Sequence, residues 1–103
     1  MKVLKFGGTS VGTPESIENV KNITLGQEGK KLLALSAMSG VTNDLVAISN
    51  LSKTQNYEEI EDIINKLQER HFSAIDTLIQ DETLNNETKS FVAKRLEELS
   101  AAC

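Results

Sequence analysis

Lys5-Phe6-Gly7-Gly8-Thr9-Ser10 sets a cation, two residues without side chains and two hydroxyls in a row where the first apolar run of the chain ends. Paired glycines permit a turn with positive φ and let the backbone approach a ligand closely, because no Cβ stands in the way. The free N–H groups of such a turn, with a helix starting behind them, form a concavity that favours anions. Lys5 adds a mobile charge, and Thr9 and Ser10 add hydroxyls that donate to phosphate oxygens. On local chemistry two readings stand: a phosphate cradle, or a tight turn whose lysine is merely solvated.

The elements that must position this turn bear on the choice. Lys2–Phe6 is short and β-compatible. Thr13-Pro14-Glu15-Ser16 is a helix start, with Thr13 suited to the N-cap, Pro14 to the first helical position and Glu15 to the positive end of the dipole. Ile17, Val20, Ile23 and Leu25 follow as one apolar stripe, and Gly26 and Gly29 bracket the stop. The apolar run Lys31–Ser36 predicts a strand buried on both faces. Strand, helix, strand makes a βαβ unit with parallel strands and a right-handed crossover. The loop Ser36-Ala37-Met38-Ser39-Gly40-Val41-Thr42-Asn43 then leaves the carboxyl end of the second strand and enters a helix capped near Thr42 or Asn43, with Leu45, Val46, Ile48 and Leu51 on its buried face. Ligands of open α/β sheets gather at that edge. Both polar loops converge there, which favours the phosphate reading.

Beyond Tyr57 the pattern changes. Apolar residues fall near helical period from Glu58 to Gln80 and again from Asn86 to Ala102, predicting an αα-hairpin joined by a polar turn at 81–85. A seam near 52–56 divides an α/β part, residues 1–53, from a helical excursion, residues 54–103. The first carries six Lys/Arg against four Asp/Glu, the second five against eleven. Only the first can offer an electropositive site, and the acidic second half argues against nucleic acid or an anionic membrane as partner. No apolar run reaches the ~18 residues of a membrane span, and the reading is a cytoplasmic protein. His71, the only histidine, is expected to pack in its helix, and the Glu58, Glu59, Glu61, Asp62 cluster to complement a helix dipole rather than hold a metal. Cys103, the only cysteine, has no base beside it in sequence.

Lys5-Phe6-Gly7-Gly8-Thr9-Ser10-Val11 and, some 25 residues on, Ser36-Ala37-Met38-Ser39-Gly40-Val41-Thr42-Asn43 together resemble the start of the aspartate kinases of the amino-acid kinase superfamily. The resemblance implies an α/β fold in which this chain is an N-terminal βαβ piece of a parallel sheet followed by a helical hairpin. It implies ATP-dependent phosphorylation of the L-aspartate side-chain carboxylate, a step of lysine, threonine and methionine biosynthesis, with ATP bound as its Mg2+ complex. Lys5 is similar to the family's catalytic lysine. Gly7 and Gly8, with Thr9 and Ser10, resemble the loop that lines the ATP phosphates, and Ser36, Ser39, Gly40 and Thr42 the loop that holds aspartate. Phosphoryl transfer to an already ionised carboxylate needs positioning and charge neutralisation rather than a general base.

A full kinase domain of that family is more than twice this length, so the resemblance implies a fragment of a monofunctional or homoserine dehydrogenase-fused aspartokinase. The expected partners are L-aspartate, ATP and the remainder of the kinase domain, with homo-oligomerisation in the full enzyme and little activity in this chain alone. Another amino-acid kinase, such as a glutamate 5-kinase, fits the two motifs less well. A helical interaction module with a purely structural glycine loop is the reading from a different class. Two strands alone leave hydrogen-bonding edges, so the folded chain is expected to self-associate through them or to cover the strand faces with its helices.

Overall fold

The computed structural model describes residues 1–103, and two compact units emerge from it, Met1–Thr42 and Asn43–Cys103. In the first, β1 (Lys2–Phe6) and β2 (Lys31–Leu35) pair in parallel, Lys2 beside Lys31, Leu4 beside Leu33 and Phe6 beside Leu35. The ladder is prolonged at its end by the Ser36 N–H donating to the Phe6 carbonyl at 3.1 Å. Between the strands stand a single 3-10 turn, Gly8–Val11, and helix α1, Pro14–Leu25.

α1 begins as its sequence dictates. Thr13 Oγ1 accepts from the Ser16 N–H at 3.1 Å, and Pro14 occupies the first turn where a missing N–H costs nothing. It ends under a cation, with Lys31 Nζ donating to the Thr24 carbonyl at 2.7 Å. Phe6, Val20 and Ile23 share one cavity of about 200 Å³ with Ser10, Ser16 and Asn19, so α1 lies over the sheet face that carries Phe6. Val11, Val20 and Val41 are the buried apolar residues of this unit.

The burial expected of β2 does not occur. Leu32, Leu33 and Leu35 are 54%, 41% and 59% exposed, and Val3 of β1 is exposed with them. The physical reason is the width of the sheet. Two strands and one crossover helix cannot cover both faces, although the continuous apolar run is of the kind that wider, two-sided sheets bury. Ile23 and Leu25 of the α1 stripe are exposed as well.

Helix α2 runs from Val41 to Lys53, beginning one residue before the expected cap because Gly40, at φ 86°, turns the chain and the Val41 N–H bonds to the Met38 carbonyl at 3.1 Å. Ile48 is buried, while Leu45 and Val46, expected on the same buried face, are exposed. α2 ends with Gln55 in the left-handed region at φ 58°, its N–H reaching the Ser52 carbonyl and that of Asn56 the Leu51 carbonyl. This is the double hydrogen bond of a Schellman stop, made here without a glycine.

α3 (Tyr57–Leu78) and α4 (Glu82–Ala102) form the expected αα-hairpin and pack on each other. Ile60, Ile64, Leu67, Ala74 and Ile75 are the buried stripe of α3. α4 starts at Glu82, earlier than the Asn86 expected, because Asp81 is an N-cap whose carboxylate accepts from the Leu84 N–H at 2.8 Å. Asn85 Nδ2, within the first turn of α4, donates to Asp76 Oδ1 and to the Ile79 carbonyl, both at 3.1 Å, and so stitches the connection. Leu84 and Phe91 are exposed, and no residue of α4 is fully buried. Lys89 bridges to Asp76 at 2.6 Å and Ser100 Oγ donates to Glu61 at 2.5 Å, tying the helices along their length. The compositional seam near 53/54 separates helix types, whereas the contacts divide the chain within the first turn of α2. No helix is long and apolar enough to cross a membrane.

Candidate functional site

The two polar loops leave the carboxyl ends of β1 and β2 side by side within the first unit. After Phe6 the chain passes through an extended Gly7 (φ −79°, ψ 177°) into the 3-10 turn. The positive φ expected of Gly7 and Gly8 is not found there; among the glycines it occurs at Gly29 and Gly40. Gly8 serves clearance rather than handedness. A Cβ on it would stand 3.4 Å from the Ala37 carbonyl oxygen and 3.5 Å from Ser39 Cα. A Cβ on Gly7 would meet nothing within 4 Å.

Gly12 is the residue that sequence reasoning passed over. Its Cβ position lies 3.1 Å from Ser39 Cβ and 3.2 Å from the Gly8 carbonyl oxygen, tighter than ordinary van der Waals contact. Gly8, Gly12 and Ser39 therefore define where the first loop rests on the second. The only signal in the sequence was a third glycine four residues after Gly8.

The remaining expected residues fall around this contact. Lys5 is exposed, its Cα opposite Ala34, and its ammonium makes no hydrogen bond or ion pair within the chain. Ser10 closes the turn by donating its N–H to the Gly7 carbonyl at 3.1 Å, so the amides of Gly8 and Thr9 precede the first backbone hydrogen bond of the turn. Ser10 also lines the 200 Å³ cavity beneath α1, beside Ser16 and Asn19. Ser36 is held by its backbone to Phe6, Gly40 carries the left-handed turn into α2, and Thr42 is exposed in the first turn of that helix. Neither loop contains a carboxylate or an imidazole. The donor set of one ammonium, hydroxyls and early-turn amides suits an anion such as phosphate.

The other side chains weighed in the sequence lie in the second unit. His71 Nδ1 is 2.7 Å from the Leu67 carbonyl of its own helix, the bond of a packed histidine that holds its proton on that nitrogen. Glu58 and Glu59 sit in the first turn of α3, and Cys103 Sγ donates to the Leu99 carbonyl at 3.3 Å.

No family model matches the chain. Among curated proteins it is 38% identical over 84 residues to the chloroplastic bifunctional aspartokinase/homoserine dehydrogenase 2 of Zea mays, a match covering 80% of this chain and 9% of that protein. It is 32% identical over 101 residues to the aspartokinase of Rickettsia bellii, covering 91% of this chain and 24% of the relative. A Haemophilus influenzae aspartokinase 3 whose description carries the word inactive is 37% identical over 60 residues, 58% of this chain and 50% of the relative. The chain thus spans about a tenth of the length of the plant relatives and a quarter to a half of the bacterial ones quoted. By these matches, and by the two loops that carry its glycine and hydroxyl motifs, the chain belongs to the aspartokinase family as a piece of longer proteins of that kind.

Proposed function

We propose that the chain supplies one wall of an ATP-dependent aspartate kinase site. In this reading Lys5, Gly7, Gly8, Thr9 and Ser10 face the phosphates of ATP, and Ser36, Ser39, Gly40 and Thr42 face L-aspartate. The observation that carries it is the seating of Gly8 and Gly12 against Ser39, which places a phosphate-type loop and a hydroxyl-rich loop against one another at the same sheet edge. An oxygen of the aspartate side chain attacks the γ-phosphorus, the bond to the β-phosphate oxygen breaks, and ADP departs with that electron pair. The attacking carboxylate is already ionised at neutral pH, so no base is required of these loops. Lys5 offsets the charge that spreads over the transferring oxygens, and the Gly8 and Thr9 amides orient the phosphates. Mg2+ enters with ATP and is assigned to no residue of this chain, whose two loops carry no carboxylate.

The remainder of a kinase domain supplies the opposite wall, and the chain alone turns over little or no substrate. Two measurements test the reading. In 15N-resolved NMR, ATP with Mg2+ is expected to shift the amides of Gly7–Ser10, and L-aspartate those of Ser36–Thr42. Shifts confined to other residues would sink the assignment. In a coupled ADP-release assay no aspartate-dependent turnover is expected, and turnover near that of a complete aspartokinase would show that the wall described is not half of a site.

A further inference from the structure

The backbone of Gly12, at φ −81° and ψ −22°, is one that any residue adopts, so handedness does not call for glycine there. Space does. A Cβ at position 12 would stand 3.1 Å from Ser39 Cβ, whereas one on Gly8 would reach only ordinary contact with the same residue, 3.5 Å from its Cα. On the near side the Gly8 carbonyl oxygen, at 3.2 Å, belongs to the turn that Gly12 ends and closes off retreat in that direction. Ser39 is held in its turn. It and Gly40 are the central residues of a reversal closed by the Val41 N–H on the Met38 carbonyl at 3.1 Å, with Gly40 at φ 86°. Val11, next to Gly12, and Val41, two residues beyond Ser39, are both buried and anchor the loops on either side of the contact.

We infer that Gly12 is a positioning residue for the second loop: the lack of a side chain there sets how closely Ser39 approaches the first loop, and with it the fit of L-aspartate. The inference rests on the reading of the two loops proposed above. Gly12 acts through Ser39 and is assigned no ligand of its own. A methyl group at position 12 has two neighbours that could yield, the Gly8 carbonyl and Ser39. The carbonyl belongs to a turn fastened by the Ser10 N–H on the Gly7 carbonyl at 3.1 Å and by the Gly12 N–H on the Thr9 carbonyl at 3.4 Å. Ser39 is exposed at the rim, so it is the neighbour that gives way, by a few tenths of an ångström. That shift carries the Ser39 hydroxyl and the adjoining Gly40 off the aspartate side of the site. The amides of Gly7, Gly8 and Thr9 keep their places, and phosphate binding is unaffected.

A double-substitution cycle read by amide NMR of the 103-residue chain tests it. L-Aspartate is titrated into the parent, Gly12→Ala, Ser39→Gly and the double variant, the shifts of Ser36–Thr42 giving each dissociation constant. Gly12→Ala is expected to bind L-aspartate about fivefold more weakly, the equivalent of one hydrogen bond. It should keep the parent's response of Gly7–Thr9 to ATP with Mg2+. Ser39→Gly removes the Cβ that the new methyl would meet, so in that background Gly12→Ala should weaken L-aspartate no further. A merely structural role would weaken both ligands together, or add its loss to that of Ser39→Gly. The inference is overturned by an unchanged aspartate affinity in Gly12→Ala, by equal losses of both ligands, by additive losses in the double variant, or by a Gly12→Ala spectrum altered throughout the sheet. Each of those outcomes leaves the parent's two loops as binding sites. A parent chain in which L-aspartate shifts none of Ser36–Thr42 removes the reading of the site itself, and the inference falls with it.

Discussion

Lys5 has no partner to lose, whereas Gly12 has neighbours it cannot avoid, and the two should respond to substitution in opposite ways. Lys5→Met removes an exposed ammonium that makes no bond in the chain, so thermal stability should move by no more than about 0.5 kcal/mol. The NMR response of Gly7–Ser10 to ATP should meanwhile weaken severalfold. A stability loss without a binding loss would make Lys5 structural. Gly12→Val presses two extra methyl groups and a Cβ onto Ser39 and the Gly8 carbonyl, and overpacking of this kind costs about 1–3 kcal/mol. The displaced loop should show in the Ser39 and Gly40 amide shifts before any ligand is added. Spectra that differ from the parent only at positions 11–13 would show that the loops do not rest on one another there.

Among the elements, the helices could be read from the sequence because their signals are local. Thr13-Pro14, the stripe from Ile60 to Ile75 and the acidic start of α3 all act within a turn or two of themselves. The start of α4 was missed because Asp81 is equally at home in a polar turn and at an N-cap, and only the bond to the Leu84 N–H distinguishes them. The exposure of β2 is not legible in the sequence for another reason. A run such as Leu32-Leu33-Ala34-Leu35 states that it prefers cover, but what covers it lies outside its own residues. The closeness of the two candidate loops was legible from the parallel pairing alone, while their point of contact at Gly12 depended on side-chain and backbone clearance that spacing does not encode.

Two further tests belong to the helices. Gln55 occupies a left-handed conformation that costs a residue with a Cβ about 1–2 kcal/mol, partly offset by the greater freedom of glycine when unfolded. Gln55→Gly should therefore raise stability by a few tenths to about 1 kcal/mol, read as a higher denaturant midpoint with an unchanged slope. Asp76 donates no proton to its bonds with Lys89 and Asn85, and the side-chain hydrogen bond from Lys89, then that from Asn85, hold its carboxyl below the ordinary value of 3.8. A folded-state pKa that is lowered contributes stability above the unfolded value, lost as the pH falls through the folded one. The Asp76 contribution should be flat from neutrality to about pH 5 and disappear only below the ordinary carboxylate range. Asp76→Asn should shrink the gap between stabilities measured at pH 6 and pH 3, and a gap of unchanged size would show the pair to be without thermodynamic weight.

At the scale of the whole molecule, charge and contacts divide the chain alike in kind. The basic excess and the candidate site lie with the sheet, and the acidic excess lies with the hairpin. The two units also differ in how far along the chain their contacts reach. Every rung of the β1–β2 ladder joins residues on either side of α1, with Lys2 waiting for Lys31. α3 and α4 meet across a connection of three residues. Chains close near contacts sooner than distant ones. The hairpin should consequently be the first part of the protein to gain structure, and the sheet edge with its two loops the last. Pulsed hydrogen exchange during refolding should find the amides of Ile64 and Leu67 protected before those of Leu4 and Leu33. For a ribosome-bound chain the order of synthesis then runs against the order of folding. β1 emerges first and remains an unpaired strand until α1 and β2 have followed it out.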